Sequence, residues 1–163
     1  MLGIDPGLRI TGYACLVGDA VRPAIVEAGV FRLATKGDPG EGVASVASRL
    51  VELERDTVDL IERVRPERIA VEGLFAHYKH PATAIVMGHG RGVILLCAQR
   101  LGIEVTELKP AEVKKAMTGS GAATKEQMVG AAQRVFALPE PPSPPDVADA
   151  LAIALCALRR ELV

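Results

Sequence analysis

Four acidic residues stand where a carboxylate has no easy structural role. They are Asp5 in Leu2-Gly3-Ile4-Asp5-Pro6-Gly7, Glu72 in Ile69-Ala70-Val71-Glu72-Gly73, and the pair Asp146 and Asp149 ahead of Ala150-Leu151-Ala152-Ile153-Ala154-Leu155. Each lies at the end of an apolar segment, where a chain leaves a core. Carboxylates brought together repel and raise one another's pKa unless a cation or shared proton offsets the charge. Asp146 and Asp149, three residues apart, share one helix face. An oxygen-only acidic set of this kind suits Mg²⁺ or Mn²⁺, and two such ions serve phosphoryl transfer. Each acid also has a plainer reading. Asp5 fits an Asp-Pro-Gly turn, Asp146 a helix N-cap, and Asp149 a complement to the helix dipole.

The elements that must position these residues follow from periodicity and punctuation. Met1–Ile4 reads as a short buried strand delivering Asp5, and Pro6-Gly7 forces a turn. Thr11–Val17 and Ala24–Leu33 are β-leaning runs separated by Gly18-Asp19, which continue a meander. Residues 43–64 carry a helical period, with Val46, Leu50, Leu53, Val58 and Ile61 on one face, closed by Arg65-Pro66. The strand Ile69–Val71 then delivers Glu72, a crossover that builds parallel sheets. A second helix is expected over 82–101, where Gly88, Gly90 and Gly92 suggest close approach of another backbone, including that of a second subunit. A strand at 103–108 and a short helix after Pro110 come next. Thr124 and Gln127 form a capping box for a helix to about Ala137, and the last helix runs from near Asp146 to about Glu161. The final helix is almost wholly apolar after Asp149, so its first turn should be held against the sheet. The order β-β-β-α-β-α-β-α-α-α predicts one α/β domain over residues 1–163, a mixed sheet flanked by helices.

Length and composition allow a well-packed core: 163 residues, 49% apolar. The net charge is −1, yet residues 73–125 are +4 and hold all three histidines, His77, His80 and His89. A local basic surface beside an acidic site is what a nuclease needs to attract phosphates. None of the histidines has metal-ligand spacing. Cys15, Cys97 and Cys156 are far apart in apolar stretches, as expected of buried thiols in a reducing cytoplasm. No signal peptide or bilayer-length apolar run is visible, so a cytoplasmic location is expected.

Five ordered blocks, LGIDPGLRITGYACL, IAVEGLF, GHGRGVILL, PAEVKKAMTGSGAATKEQM and PPDVADALAIALC, resemble the bacterial RuvC family of Holliday-junction resolvases over nearly the whole chain. The resemblance implies an RNase H-like fold, with a five-stranded mixed sheet having one antiparallel strand, and a homodimer. It implies Mg²⁺-dependent nicking of opposed strands at a four-way DNA junction, with Mn²⁺ able to substitute, and cooperation with a branch-migration complex, RuvA and RuvB. On that resemblance the catalytic and metal-binding positions are Asp5, Glu72, Asp146 and Asp149, expected to converge within a few ångströms at one edge of the sheet. Phe75 falls on the family's base-stacking aromatic, and Lys79, Arg91, Lys114 and Lys125 fall on DNA-contacting positions. The chain departs from the family pattern at Phe75-Ala76-His77-Tyr78-Lys79-His80, with one apparent extra residue before Lys79, so the family's thymine-rich cleavage preference is not carried over.

Other functions remain open on the residues alone. A different RNase H-like nuclease, acting on structured RNA or other branched DNA, would share the N-terminal Asp-x-Gly strand. A sugar-kinase or actin-like ATPase would too, but needs a duplicated domain and a second glycine-rich phosphate loop that this chain lacks. A non-catalytic junction-binding module would not require four acids.

Overall fold

The computed structural model describes residues 1–19, 21–33, 45–73 and 81–160, with side chains from residue 84 onward in the last segment. Phe75, Lys79, His77 and His80 lie outside the described residues. The elements are β1 (Leu2–Asp5), β2 (Ile10–Val17), β3 (Ala24–Arg32), α1 (Val46–Val64), β4 (Arg68–Glu72), α2 (Pro81–Arg100), β5 (Glu104–Leu108), α3 (Pro110–Thr118), α4 (Lys125–Val135) and α5 (Pro145–Arg160). This is the order expected from the sequence. The strands form one sheet in the order β3-β2-β1-β4-β5. β2 runs antiparallel to both β1 and β3, whereas β1, β4 and β5 are parallel.

Local chemistry sets the helix ends. Ser45 caps α1, its Oγ accepting from the Ser48 amide at 3.1 Å. Arg65 ends that helix in the left-handed region (φ 44°), its amide donating to the Ile61 carbonyl at 2.8 Å, and Pro66 prevents continuation. α4 opens with the expected capping box: the Gln127 amide donates to Thr124 Oγ1 at 3.3 Å, and the Thr124 amide to Gln127 Oε1 at 2.9 Å.

Strand alternation divides the core between the two sheet faces. Leu2 and Ile4 of β1, with Cys15, Ile69 and Val71, pack beneath α1 and α2 against Leu53, Leu60, Ile61, Ile94 and Cys97. Ala14, Ala70 and Leu108 turn to the other face, against α3, α4 and α5. α5 is the spine of that second layer, buried without interruption from Ala150 to Ala157. Its closeness to the sheet depends on Gly3. A Cβ there would stand 2.5 Å from the Ala154 nitrogen and 2.6 Å from the Ala150 carbonyl oxygen.

Neither Gly90 nor Gly92 marks a close approach within the chain. A Cβ on Gly90 would meet Leu53 and Leu8 at 3.5 Å, ordinary contact, and one on Gly92 would meet nothing within 4 Å. Gly92 instead lies on an exposed stripe with Ile85, His89, Leu96 and Gln99. All three cysteines are free and buried, as expected. Among the described residues no helix is long and apolar enough to cross a membrane.

Candidate active site

β1 is the central strand, and Asp5 is its last residue. Alternation places Asp5 on the same face as Gly3, under α5. Glu72 is the last residue of β4. The parallel register runs Leu2–Ile69, Gly3–Ala70 and Ile4–Val71, so one further step sets Asp5 beside Glu72 on that face. On the other side Asp5 pairs with Gly12 of β2. A Cβ on Gly12 would collide with the carbonyl oxygen of Asp146, so the first turn of α5 rests on the Asp5–Gly12 pair. Asp149, one turn on, follows from the i, i+3 spacing.

All four acids are half-buried, and they act on one another. Asp5 is pushed up from the usual 3.8 to about 7, first by burial and then by the charges of Asp149, Glu72 and Asp146, with Lys125 pulling in the opposite sense. Glu72 is raised by burial and by Asp149, against Lys114. Asp149 is raised by burial and by Asp146, against Lys125 and Lys114. Four residues drawn from β1, β4 and α5 therefore share one electrostatic field, answered by a half-buried lysine on α3 and an exposed one at the start of α4.

The side chains share a field but not a coordination sphere. Among the described residues no three His, Cys, Asp or Glu side chains are arranged to hold a single ion. The donor chemistry nonetheless fits hard divalent cations. The set is oxygen-only and its charges are crowded, and Asp5 is raised first by burial and then by neighbouring carboxylates whose repulsion a cation would relieve.

The turn after Asp5 is fixed by residues the sequence reading did not single out. Thr11 is fully buried; its hydroxyl donates to the Gly7 carbonyl at 2.6 Å and accepts from the Gly7 amide at 3.2 Å. Arg49 of α1 donates from Nη1 to the Leu8 carbonyl at 3.0 Å. The Thr-Gly dipeptide at the start of β2 was the available signal: a hydroxyl that can close a turn, then a residue without a side chain.

Of the five positions matched to DNA contact, Lys114 and Lys125 come to the acids. Arg91 does not. Its side chain is 14% exposed and lies with Nη2 2.6 Å from Glu107 Oε2 of β5. Glu107 pairs with Val71 across the sheet, in register with the face opposite to the acids.

A five-stranded sheet in this order, with one antiparallel strand and helices on both faces, is the RNase H-like fold of resolvases. The structure of Thermus thermophilus RuvC in complex with Holliday junction substrate matches with a TM-score of 0.84 at 30% identity, covering 99% of this chain and 94% of that one. The yeast mitochondrial Holliday junction resolvase Ydc2 shares the fold, with a TM-score of 0.69 at 16% identity, over 99% of this chain and 78% of that one. A family profile described as crossover junction endodeoxyribonuclease RuvC matches residues 1–157. Proteins of that name from Rhodopirellula baltica and Pelotomaculum thermopropionicum are each 42% identical over 156 residues, 96% of this chain and 84% and 90% of theirs. This chain belongs to the RuvC family.

Proposed function

We propose that Asp5, Glu72, Asp146 and Asp149 form the hydrolytic centre of a Holliday-junction resolvase, with residues 1–163 acting as one RNase H-like nuclease domain. The family's members are crossover junction endodeoxyribonucleases, and the reaction is hydrolysis of a DNA phosphodiester. The observation that carries the site assignment is the placement of the acids: the β1–β4 register sets Asp5 beside Glu72, and the Asp146 carbonyl lies against Gly12, the cross-strand partner of Asp5, although these residues span almost the whole sequence.

In this reading the four carboxylates hold divalent ions, two Mg²⁺ with Mn²⁺ able to replace them. Such ions, when bound, supply the Lewis acidity and charge neutralisation that phosphodiester hydrolysis needs. The protein's own residues do the rest. β1 and β4 fix Asp5 and Glu72 by backbone pairing, and α5 sets Asp146 and Asp149 over them. Lys114 and Lys125 draw the phosphate toward a site that would otherwise repel it. Phe75 and Lys79, outside the described residues, are assigned to the junction by resemblance.

A second copy of the chain is assigned to the exposed stripe of α2. Ile85 (62% exposed), His89, Gly92, Leu96 (48%) and Gln99 recur at intervals of four and three, the seam spacing of paired helices. Two opposed strands need two sites, which a twofold dimer provides. The branch-migration proteins RuvA and RuvB and a cytoplasmic location complete the assignment; three buried free thiols suit a reducing compartment.

The test is cleavage of a four-way junction beside linear duplex, an RNA–DNA hybrid and structured RNA. Junction-selective, divalent-ion-dependent nicking is expected, abolished in Asp5→Asn with junction binding retained. Full cleavage by the Asp5→Asn protein would sink the site assignment. Preferential cutting of structured RNA would favour the alternative nuclease.

A further inference from the structure

Arg91 is bound up with a different part of the molecule from the two lysines. Its Nε and Nη2 are buried and make no hydrogen bond among the described residues, so the contact with Glu107 Oε2 is ionic and non-directional. Its partner stands next to Leu108, the residue opposite Glu72 in the β4–β5 register. The Leu108 carbonyl accepts from the Gly73 amide at 2.8 Å, and Gly73 is the residue immediately after Glu72. Two adjacent residues of β5 therefore anchor two separate pieces of chain: Leu108 holds the exit from β4, and Glu107 holds α2. The exit from β4 and the middle of α2 are thus tied to one dipeptide.

We infer that Arg91 is a positioning residue for Glu72, acting through Glu107, and not a ligand for the DNA backbone. This rests on the assignment of Glu72 to the hydrolytic centre. A phosphate-binding arginine needs its donors free and facing solvent. Arg91 has a largely buried side chain, with Nε and Nη2 covered, and its charge already answered. What the pair does is fix the separation of α2 and the end of β5. With that separation set, the Leu108 carbonyl stays on the Gly73 amide and the Glu72 carboxylate keeps its place beside Asp5. The largely buried Arg91 and the carboxylate that meets its charge behave as a unit: without Glu107 the arginine's buried charge is uncompensated, and without Arg91 the tie between α2 and β5 is lost.

The experiment uses the full chain with Arg91→Met, Glu107→Gln and the double variant. Three quantities are measured: single-turnover junction cleavage at saturating protein, the salt dependence of junction affinity, and hydrogen exchange at the Gly73 amide. Each single variant should slow cleavage by roughly ten- to a hundred-fold, the cost of a small misplacement at a reacting centre. The double variant should be no slower than the worse single one, because the two residues act as one unit. The salt slope should match wild type, and Gly73 exchange should accelerate in all three. The inference is overturned if Arg91→Met lowers the salt slope by about one phosphate contact while Glu107→Gln cleaves and exchanges as wild type does. Glu107 is 60% exposed, so Glu107→Gln tests the idea even where Arg91→Met fails to fold. Gly73 exchange needs no substrate. Faster exchange in a chain that leaves junctions uncut would overturn the functional assignment and leave the strut standing.

Discussion

Gly12 and Asp146 touch through the space a side chain would fill: the Asp146 carbonyl oxygen occupies the position of a Cβ on Gly12. Gly12 is also the cross-strand partner of Asp5. One missing methyl group thus sets how near the acids of α5 come to the acid of β1. Gly12→Ala must push α5 away from the sheet. A loss of about 1–3 kcal/mol is expected from overpacking, with cleavage falling further than junction binding. Urea unfolding and single-turnover rates check this. A Gly12→Ala protein as stable and active as wild type would show that the contact relaxes freely.

The crowded carboxylates give the metal-free protein a characteristic pH dependence. Asp5 has a folded pKa of about 7 against 3.8 for an unhindered carboxyl, so the native state holds this proton more tightly than the unfolded chain does. Stability from this group is therefore fully present below about pH 4 and is lost as pH rises toward and through 7. Glu72 and Asp149 are shifted in the same direction. In a chelator, unfolding midpoints should fall between about pH 4 and 7. Asp5→Asn should remove much of that fall, raising stability at pH 8 by on the order of a few kcal/mol. Identical pH profiles for the two proteins would refute the assignment of burial and repulsion to Asp5.

Thr11 should matter more than a strand threonine usually does. Thr11→Val keeps the shape but strips both hydrogen bonds from Gly7, leaving a largely buried amide and carbonyl unpaired at about 1–3 kcal/mol. The turn beyond Asp5 loosens, so the cleavage rate should drop while junction affinity holds. Thr11→Ser restores the hydroxyl and should recover most of the rate. If the serine variant is as slow as the valine one, the hydroxyl is not what matters.

Lys114 and Lys125 are expected to affect two measurements at once. As phosphate contacts, each changed to Met should weaken junction binding and lower the salt slope by about one. As neighbours of the acids they hold Glu72, Asp149 and Asp5 down. Their loss should therefore shift the acid limb of the cleavage–pH profile upward. Lys125→Met acts on Asp5 and Asp149, Lys114→Met on Glu72 and Asp149, so the two profiles should differ. Unchanged salt slopes would remove both lysines from the DNA interface.

Much of this was legible in the sequence because it is local. Apolar runs ending in Asp5 and Glu72, the Thr124–Gln127 box and Pro110 at a helix start carry their signals within a few residues. The mixed sheet followed from their order. What stayed hidden depends on how elements meet. Gly3 and Gly12 do not look special within strands until α5 is laid across them. Thr11 is a common strand residue until its hydroxyl is seen to close the turn at Gly7. The Arg91–Glu107 ion pair was not legible because Glu107 lies on another element and nothing in local spacing pairs them. The α2 glycines suggested close approach of another backbone; within the chain Gly92 faces open space.

α5 supplies two of the four acids and also the uninterrupted run of buried residues from Ala150 to Ala157 that holds the second layer to the sheet. The same sixteen-residue segment is the keystone of the architecture and, under the proposed assignment, half of the hydrolytic centre. Loosening α5 from the sheet should therefore cost stability and cleavage together.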